Sequence, residues 1–252
     1  VTDLSKLSWP DVAALVERGC AAILPVGSTE AHGPHLPLDT DVTIALGTAR
    51  RAAEHLRAEG TPCVVLPPVA YAVTDFAGGF AGSMSLPRAT AQALMRDVLV
   101  AAIRTGFSPV AVANAHLEPE HVASVAAAID EARAATGTDV VFPDVTRRAN
   151  AQRLTEEFRS GACHAGRYES SLVMADDPGA VDEQRRRALP EVPISLVDAI
   201  RAGHADFRAA GGDQAYFGRP AEASAEEGRA TYEVLAAMLV EAMRAGEGRD
   251  SG

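Results

Sequence analysis

Four short apolar runs, AAILPV (21–26), CVVLPPV (63–69), PVAVAN (109–114) and DVVFP (139–143), alternate with stretches of helical periodicity, and this alternation constrains the chain most. None of the runs has a polar face, as expected of strands buried on both sides. The intervening stretches 41–59, 87–106 and 119–136 carry helix punctuation: the first stops at Gly60, the second runs from Pro87 to Gly106, and the third opens at Pro119 and is closed by Gly137. Strand and helix in turn give a parallel sheet covered on both faces, because each crossover helix must pack on one of them. The expected fold class is α/β, a three-layer α/β/α arrangement around a mostly parallel central sheet. The chain has 252 residues, 47% of them hydrophobic, with no internal repeat and no Ser/Gly linker. A single domain over 1–246 is expected, followed by a disordered tail at 247–252.

Function is signalled where the first and third runs end. The stretch GSTEAHGPHLPLDTD (27–41) gathers Glu30, His32, His35, Asp39 and Asp41 on a segment that Gly33, Pro34 and Pro37 keep out of a regular helix. Open α/β sheets build their sites at the carboxyl ends of strands, and irregular backbone there can aim several side chains at one point. NAHLEPEH (114–121) follows the third run in the same way, and His116 and Glu118, two apart, project to one side of an extended segment. His, Asp and Glu without thiolate form a ligand set for divalent ions of borderline or hard character. Glu30, His32, Asp41, His116 and Glu118 are the expected metal ligands. Five ligands imply two ions, with a carboxylate such as Asp41 able to bridge them. His35, Asp39, Glu120 and His121 stand as either further ligands or hydrogen-bonded loop residues.

Charge and cysteine content exclude other classes. Lys and Arg total 23 against 34 Asp and Glu, a net charge of −11, so the summed field repels nucleic acid and anionic membrane surfaces. No apolar stretch approaches the ~18 residues of a membrane span. Cys20, Cys63 and Cys163 are odd in number and unpaired in spacing, which fits a reducing cytoplasm, the expected location, and buried packing roles. EQRRRA (183–188) reads as a solvated helix face, and His55 as a surface residue.

These motifs resemble the creatininase (creatinine amidohydrolase) family, whose members carry a G-S-x-E-x-H-G-x-H-L-P…D loop and an N-G-H-x-E-N or N-G-H-G-G-N loop. The chain has GSTEAHGPHLPLDTD and NAHLEP in those places, HAGRYESSLVM (164–174) is similar to the family's H-A-G-x-x-E-T-S-L-M, and FGRPAEASAEEGR (217–229) is similar to a further segment. The resemblance implies that Glu30, Asp41 and His116 hold one ion and His32, Asp41 and Glu118 the other. It implies His164 as proton carrier, with Glu118 and Glu169 catalytic beside it, and Arg167, Tyr168 and His121 as substrate contacts. It further implies zinc, manganese or iron as the ions, a hexamer, and hydrolysis of amide bonds. Ala115 and Pro119 depart from the second motif, TDFAGGFAGSMSL (74–86) lacks a His common in relatives, and Trp9 is the single tryptophan, so creatinine itself is not the expected substrate. The expected activity is hydrolysis of a nonpeptide, cyclic C–N amide bond in a small molecule. Peptide trimming or formamide hydrolysis is the related alternative, and a noncatalytic metal-binding scaffold the alternative of another class.

Overall fold

The computed structural model describes residues 3–247, with side chains to residue 245. Helix α1 (Trp9–Val16) leads into strand β1 (Ala21–Val26), followed by α2 (Thr40–Ala58), β2 (Cys63–Val65), α3 (Arg88–Thr105), β3 (Val110–Asn114), α4 (Pro119–Thr136) and β4 (Val140–Val141). Short helices α5 (Arg148–Ala151), α6 (Glu156–Ser160), α7 (Arg167–Asp176), α8 (Glu183–Ala188) and α9 (Leu196–Arg201) then precede the long α10 (Ala225–Glu247). The sheet is all parallel in the order β2-β1-β3-β4.

Alternation along the strands builds the three layers. Ala22, Leu24 and Val26 of β1, with Val64, Val110 and Val112, pack with residues of α3 and α4 such as Met95, Leu99, Val125 and Ala128. Ala21 and Ile23, with Cys63, Val65, Ala111 and Ala113, face Ala49, Ala52, Ala53 and Leu56 of α2 and Ala236, Leu239, Val240 and Met243 of α10. Alanines on both sides of this second interface let the helices lie close to the strands, and the side-chain period of two assigns each residue its face.

The structure differs from the sequence pattern at the margins. The run 63–69 is a strand only over Cys63–Val65, because Pro67 and Pro68 have no N–H to give a ladder; Val69 rejoins β1 by donating to the Pro25 carbonyl at 3.0 Å. The run 139–143 shrinks to Val140–Val141. EQRRRA is helical but not a wholly solvated face: Arg186 is buried, pairs with Glu183 and donates to the carbonyls of Pro220 and Ala221. His55 is at the surface beside Glu233, and Cys20 and Cys63 are buried. Of the expected tail, Glu247 closes α10 and residues 248–252 lie outside the described residues. Among the described residues no helix is long and apolar enough to cross a membrane.

Because β1 and β3 are adjacent and parallel, the loops leaving their carboxyl ends emerge side by side, tied where the Ala115 amide donates to the Val26 carbonyl at 3.0 Å. Glycine at position 27 then lets the start of α2 come back against the end of β1. A Cβ there would lie 2.6 Å from the Val42 nitrogen and 2.9 Å from the Asp41 Cβ. Gly27→Ala should therefore push Asp41 away and lower the denaturation midpoint with no change in slope, by roughly 1–3 kcal/mol of overpacking strain. An unchanged midpoint would show that α2 can retreat freely, and that the close approach has no energetic weight.

Candidate metal centre

Four segments deliver the site. Glu30 and His32 come from the loop after β1, Asp41 from the first turn of α2, His116 and Glu118 from the loop after β3, and His164 and Glu169 from the start of α7. All seven are buried. Asp41 and Glu169 lie in first helical turns, where the exposed amides favour negative charge. Ala165, between His164 and α7, has φ of +50°, a conformation uncommon for a residue with a Cβ, and its amide donates to Glu169 Oε2 at 2.6 Å.

Three histidines share one geometry. His32 Nδ1 donates to the Glu30 carbonyl (3.2 Å), His116 Nε2 to the Val73 carbonyl (2.8 Å) and His164 Nε2 to the Ala31 carbonyl (3.0 Å). A carbonyl oxygen can only accept, so each of these bonds fixes the ring and leaves the other nitrogen turned inward. His32 Nε2 lies 3.2 Å from Asp41 Oδ1, 3.6 Å from Glu169 Oε2 and 3.7 Å from Glu30 Oε1. His116 Nδ1 lies 3.0 Å from Asp41 Oδ2 and 3.4 Å from Glu30 Oε1, and His164 Nδ1 lies 3.7 Å from Glu30 Oε1. His32 Nε2 is buried with no hydrogen-bond partner of its own.

Inward lone pairs facing buried carboxylates repel them unless a cation stands between. Burial alone would lower the pKa of His32, but Asp41, followed by Glu169 and Glu30, holds it up at about 10. Burial likewise acts against charge on His116, which Glu30 and Asp41 nevertheless hold well above the usual imidazole range. Positive charge is demanded at both nitrogens, and a divalent ion competes with protons for that place. The donor set of imidazole and carboxylate fits such an ion. Among the described residues, ligand atoms lie within 4.8 Å of one another in three sets: Glu30, Asp41 and His116; His32, Asp41 and Glu169; and Glu30, His32 and His164. Asp41 gives one oxygen to each of two histidines, the disposition of a bridging carboxylate.

The other expected site residues have partners of their own. Glu118, expected to complete the set of His32 and Asp41, accepts from the amides of Asp75 and Phe76 at 3.2 Å each, and the acid that lies with His32 and Asp41 is Glu169. Burial pushes Glu118 up to about 7 and Glu169 up to about 8. His164 stacks on Phe207 with ring centres 4.2 Å apart, and burial, then the charge of His32, brings its pKa down to about 4. Arg167, expected at the substrate, pairs with Glu227 and Glu222. Tyr168 is buried against Phe158, with ring centres 4.9 Å apart, and His121 is buried behind His116, bonded to Asn114 Oδ1 at 2.9 Å. Asp39 precedes α2 as its cap residue, Glu120 pairs with Arg88, and His35 bonds Ser170 Oγ at 2.7 Å.

Sequence reasoning passed over three supports of the site. Thr74 donates its hydroxyl to Glu30 Oε2, Ser28 donates to Asp41 Oδ2 at 3.0 Å, and Phe207 covers His164. Ser28 and Thr74 lie within stretches already singled out, GSTEAHGPHLPLDTD and TDFAGGFAGSMSL, whereas nothing local in the sequence marks Phe207, which arrives from a distant segment.

Comparison with known proteins agrees with this fold. The sequence pattern of the creatininase family, described as creatinine amidohydrolase, matches residues 5–243. A mycofactocin precursor peptide peptidase of Mycobacterium tuberculosis is 31% identical over 232 residues, 88% of this chain and 82% of that protein. The creatinine amidohydrolase of Pseudomonas putida is 28% identical over 257 residues, 96% of this chain and 95% of that protein. A manganese form of creatininase superposes with a TM-score of 0.73 at 24% identity, covering 97% of this chain and 98% of that one, a likeness of fold. The chain belongs to the creatininase family and, with its buried cluster of His, Glu and Asp, is a hydrolase of that family.

Proposed function

We propose that the chain is a binuclear metal-dependent amidohydrolase that cleaves a nonpeptide, cyclic C–N amide bond in a small molecule. The observation that carries the reading is the convergence of three carbonyl-fixed histidines on shared buried carboxylates. Glu30, Asp41 and His116 hold one ion and His32, Asp41 and Glu169 the other, with zinc, manganese or iron as the metal. When bound, ions of this kind lower the pKa of water toward about 7 and polarise a carbonyl oxygen. Glu118, with its pKa near 7 and two amides fixing its carboxylate, handles a proton beside them.

His164 carries the second proton. Its Nε2–H is committed to Ala31, so Nδ1 is the atom that takes up and gives back a proton. Burial makes the ring a weak base, and its protonated form is correspondingly a strong donor to a departing nitrogen.

Coverage of nearly the whole length of the Pseudomonas putida amidohydrolase favours a small amide. The higher identity to a peptide peptidase favours a second reading, trimming of a peptide. A noncatalytic scaffold would have no need of the complete set of ligands and proton-handling groups.

Close to two divalent ions per chain are expected by elemental analysis after reconstitution, and one or none would end the binuclear reading. Asp41→Ala should deplete both ions, and His32→Ala or His116→Ala chiefly one. Ion affinity should fall as pH falls below about 10, where a proton holds His32. Metal-loaded protein should release amine from lactams and related cyclic amides in preference to formamides or peptides; the opposite order would establish the second reading. His164→Ala should keep its ions and lose about 10²–10⁴-fold in turnover, less for good leaving groups. A variant that loses metal instead would make His164 a ligand. Assembly as a hexamer is proposed on family membership, and light scattering that finds a species near the 26.2 kDa chain mass would contradict it.

A further inference from the structure

Four consecutive residues, 73–76, grip three residues of the metal centre. The Val73 carbonyl accepts from His116 Nε2, the Thr74 hydroxyl donates to Glu30 Oε2, and the amides of Asp75 and Phe76 donate to the two oxygens of Glu118. Three of these contacts are made by backbone atoms. Only Thr74 acts through its side chain, and Thr74 is fully buried, with its own amide donating to Ser85 Oγ at 3.0 Å.

The two oxygens of Glu30 have separate neighbours. Oε1 faces His116 Nδ1 at 3.4 Å, His32 Nε2 at 3.7 Å and His164 Nδ1 at 3.7 Å, while Oε2 turns to Thr74. The terminal torsion of a glutamate is soft and nearly two-fold, so without a partner the carboxylate is free to rotate and offer either oxygen, or both. A hydroxyl proton on Oε2 removes that freedom. The other carboxylates are fixed by different groups, Asp41 by the Ser28 hydroxyl and Glu169 by the Ala165 amide.

We infer that Thr74 is a positioning residue that holds Glu30 as a single-oxygen ligand and so sets the affinity of one of the two ion positions. The inference rests on the ligand assignment proposed above. Partners of this kind, bonded to a ligand and not to the metal, are worth about 10–100-fold in metal affinity.

The test is zinc titration against a competing chelator, with elemental analysis, for the wild-type chain and its Thr74→Val, Thr74→Ala and Thr74→Ser variants. Removal of the hydroxyl should weaken one ion by about 10–100-fold and leave the second within about twofold, and Thr74→Ser should restore the first. Denaturation midpoints of the metal-free variants report the fold separately, and Thr74→Ala supplies the measurement if the valine chain does not fold. Wild-type affinity for both ions without the hydroxyl, equal loss of both, or failure of serine to restore the weakened ion would each overturn the assignment. Uptake of fewer than two ions by the wild-type chain would instead refute the binuclear reading, a result visible before any variant is made.

Discussion

Three buried carboxylates, Glu30, Asp41 and Glu169, converge on the inward nitrogens of His32 and His116, and the rest of the molecule is arranged around that concentration of negative charge. Coulomb repulsion inside a protein is far stronger than in water, so such a cluster cannot be held by packing alone. Each acid is steadied by a separate donor: a threonine hydroxyl, a serine hydroxyl and a backbone amide. Two acids also sit in first helical turns. What these donors leave uncompensated is met at the histidine nitrogens, and that requirement ties the electrostatics of the fold to the chemistry of the family.

A further buried acid serves the scaffold. Glu157 of α6 accepts from the amides of Tyr168 and Arg219 at 2.7 Å each, which binds the start of α7 to the segment 217–219. The Phe217 amide in turn donates to the His164 carbonyl at 2.9 Å. One carboxylate thus anchors both sides of the turn that presents His164 and Glu169. Arg167, bonded to Glu227 of α10, extends the same anchorage, which explains why a charged residue inside a site motif points away from the reacting centre.

The fold was legible in the sequence where the pattern is local. Strand β1, strand β3 and helix α4 follow directly from apolar runs and from Pro119 and Gly137, and the layers follow from the alternation of faces. The last helix, α10, is announced only by the spacing of Tyr232, Leu235, Leu239 and Met243, and the short helices between β4 and α10 are held by long-range contacts that periodicity cannot reveal. In the site, Glu30, His32, Asp41 and His116 were recognisable because two loops at neighbouring strand ends must face each other. The placement of Glu169 beside His32 and of Glu118 on the amides of Asp75 and Phe76 was not, since it depends on where residues 74–76 and α7 pass, and no spacing in the chain encodes that.

The start of α2 against Gly27 also bears on how the site comes into being during synthesis. Glu30, His32 and Asp41 lie close together in sequence and leave the ribosome together, whereas His116 follows only after α2 and α3, and Glu169 only after α4, α5 and α6 as well. An ion captured by the first three would be held by a loop with no sheet yet beside it, and loop closure onto distant ligands costs little more as the gap lengthens. Capture of an ion at full strength would therefore wait for the segment that carries Glu169. A cation that bound only the completed arrangement would select the native state by mass action, so its occupancy would report that every segment carrying these side chains has been made and folded together.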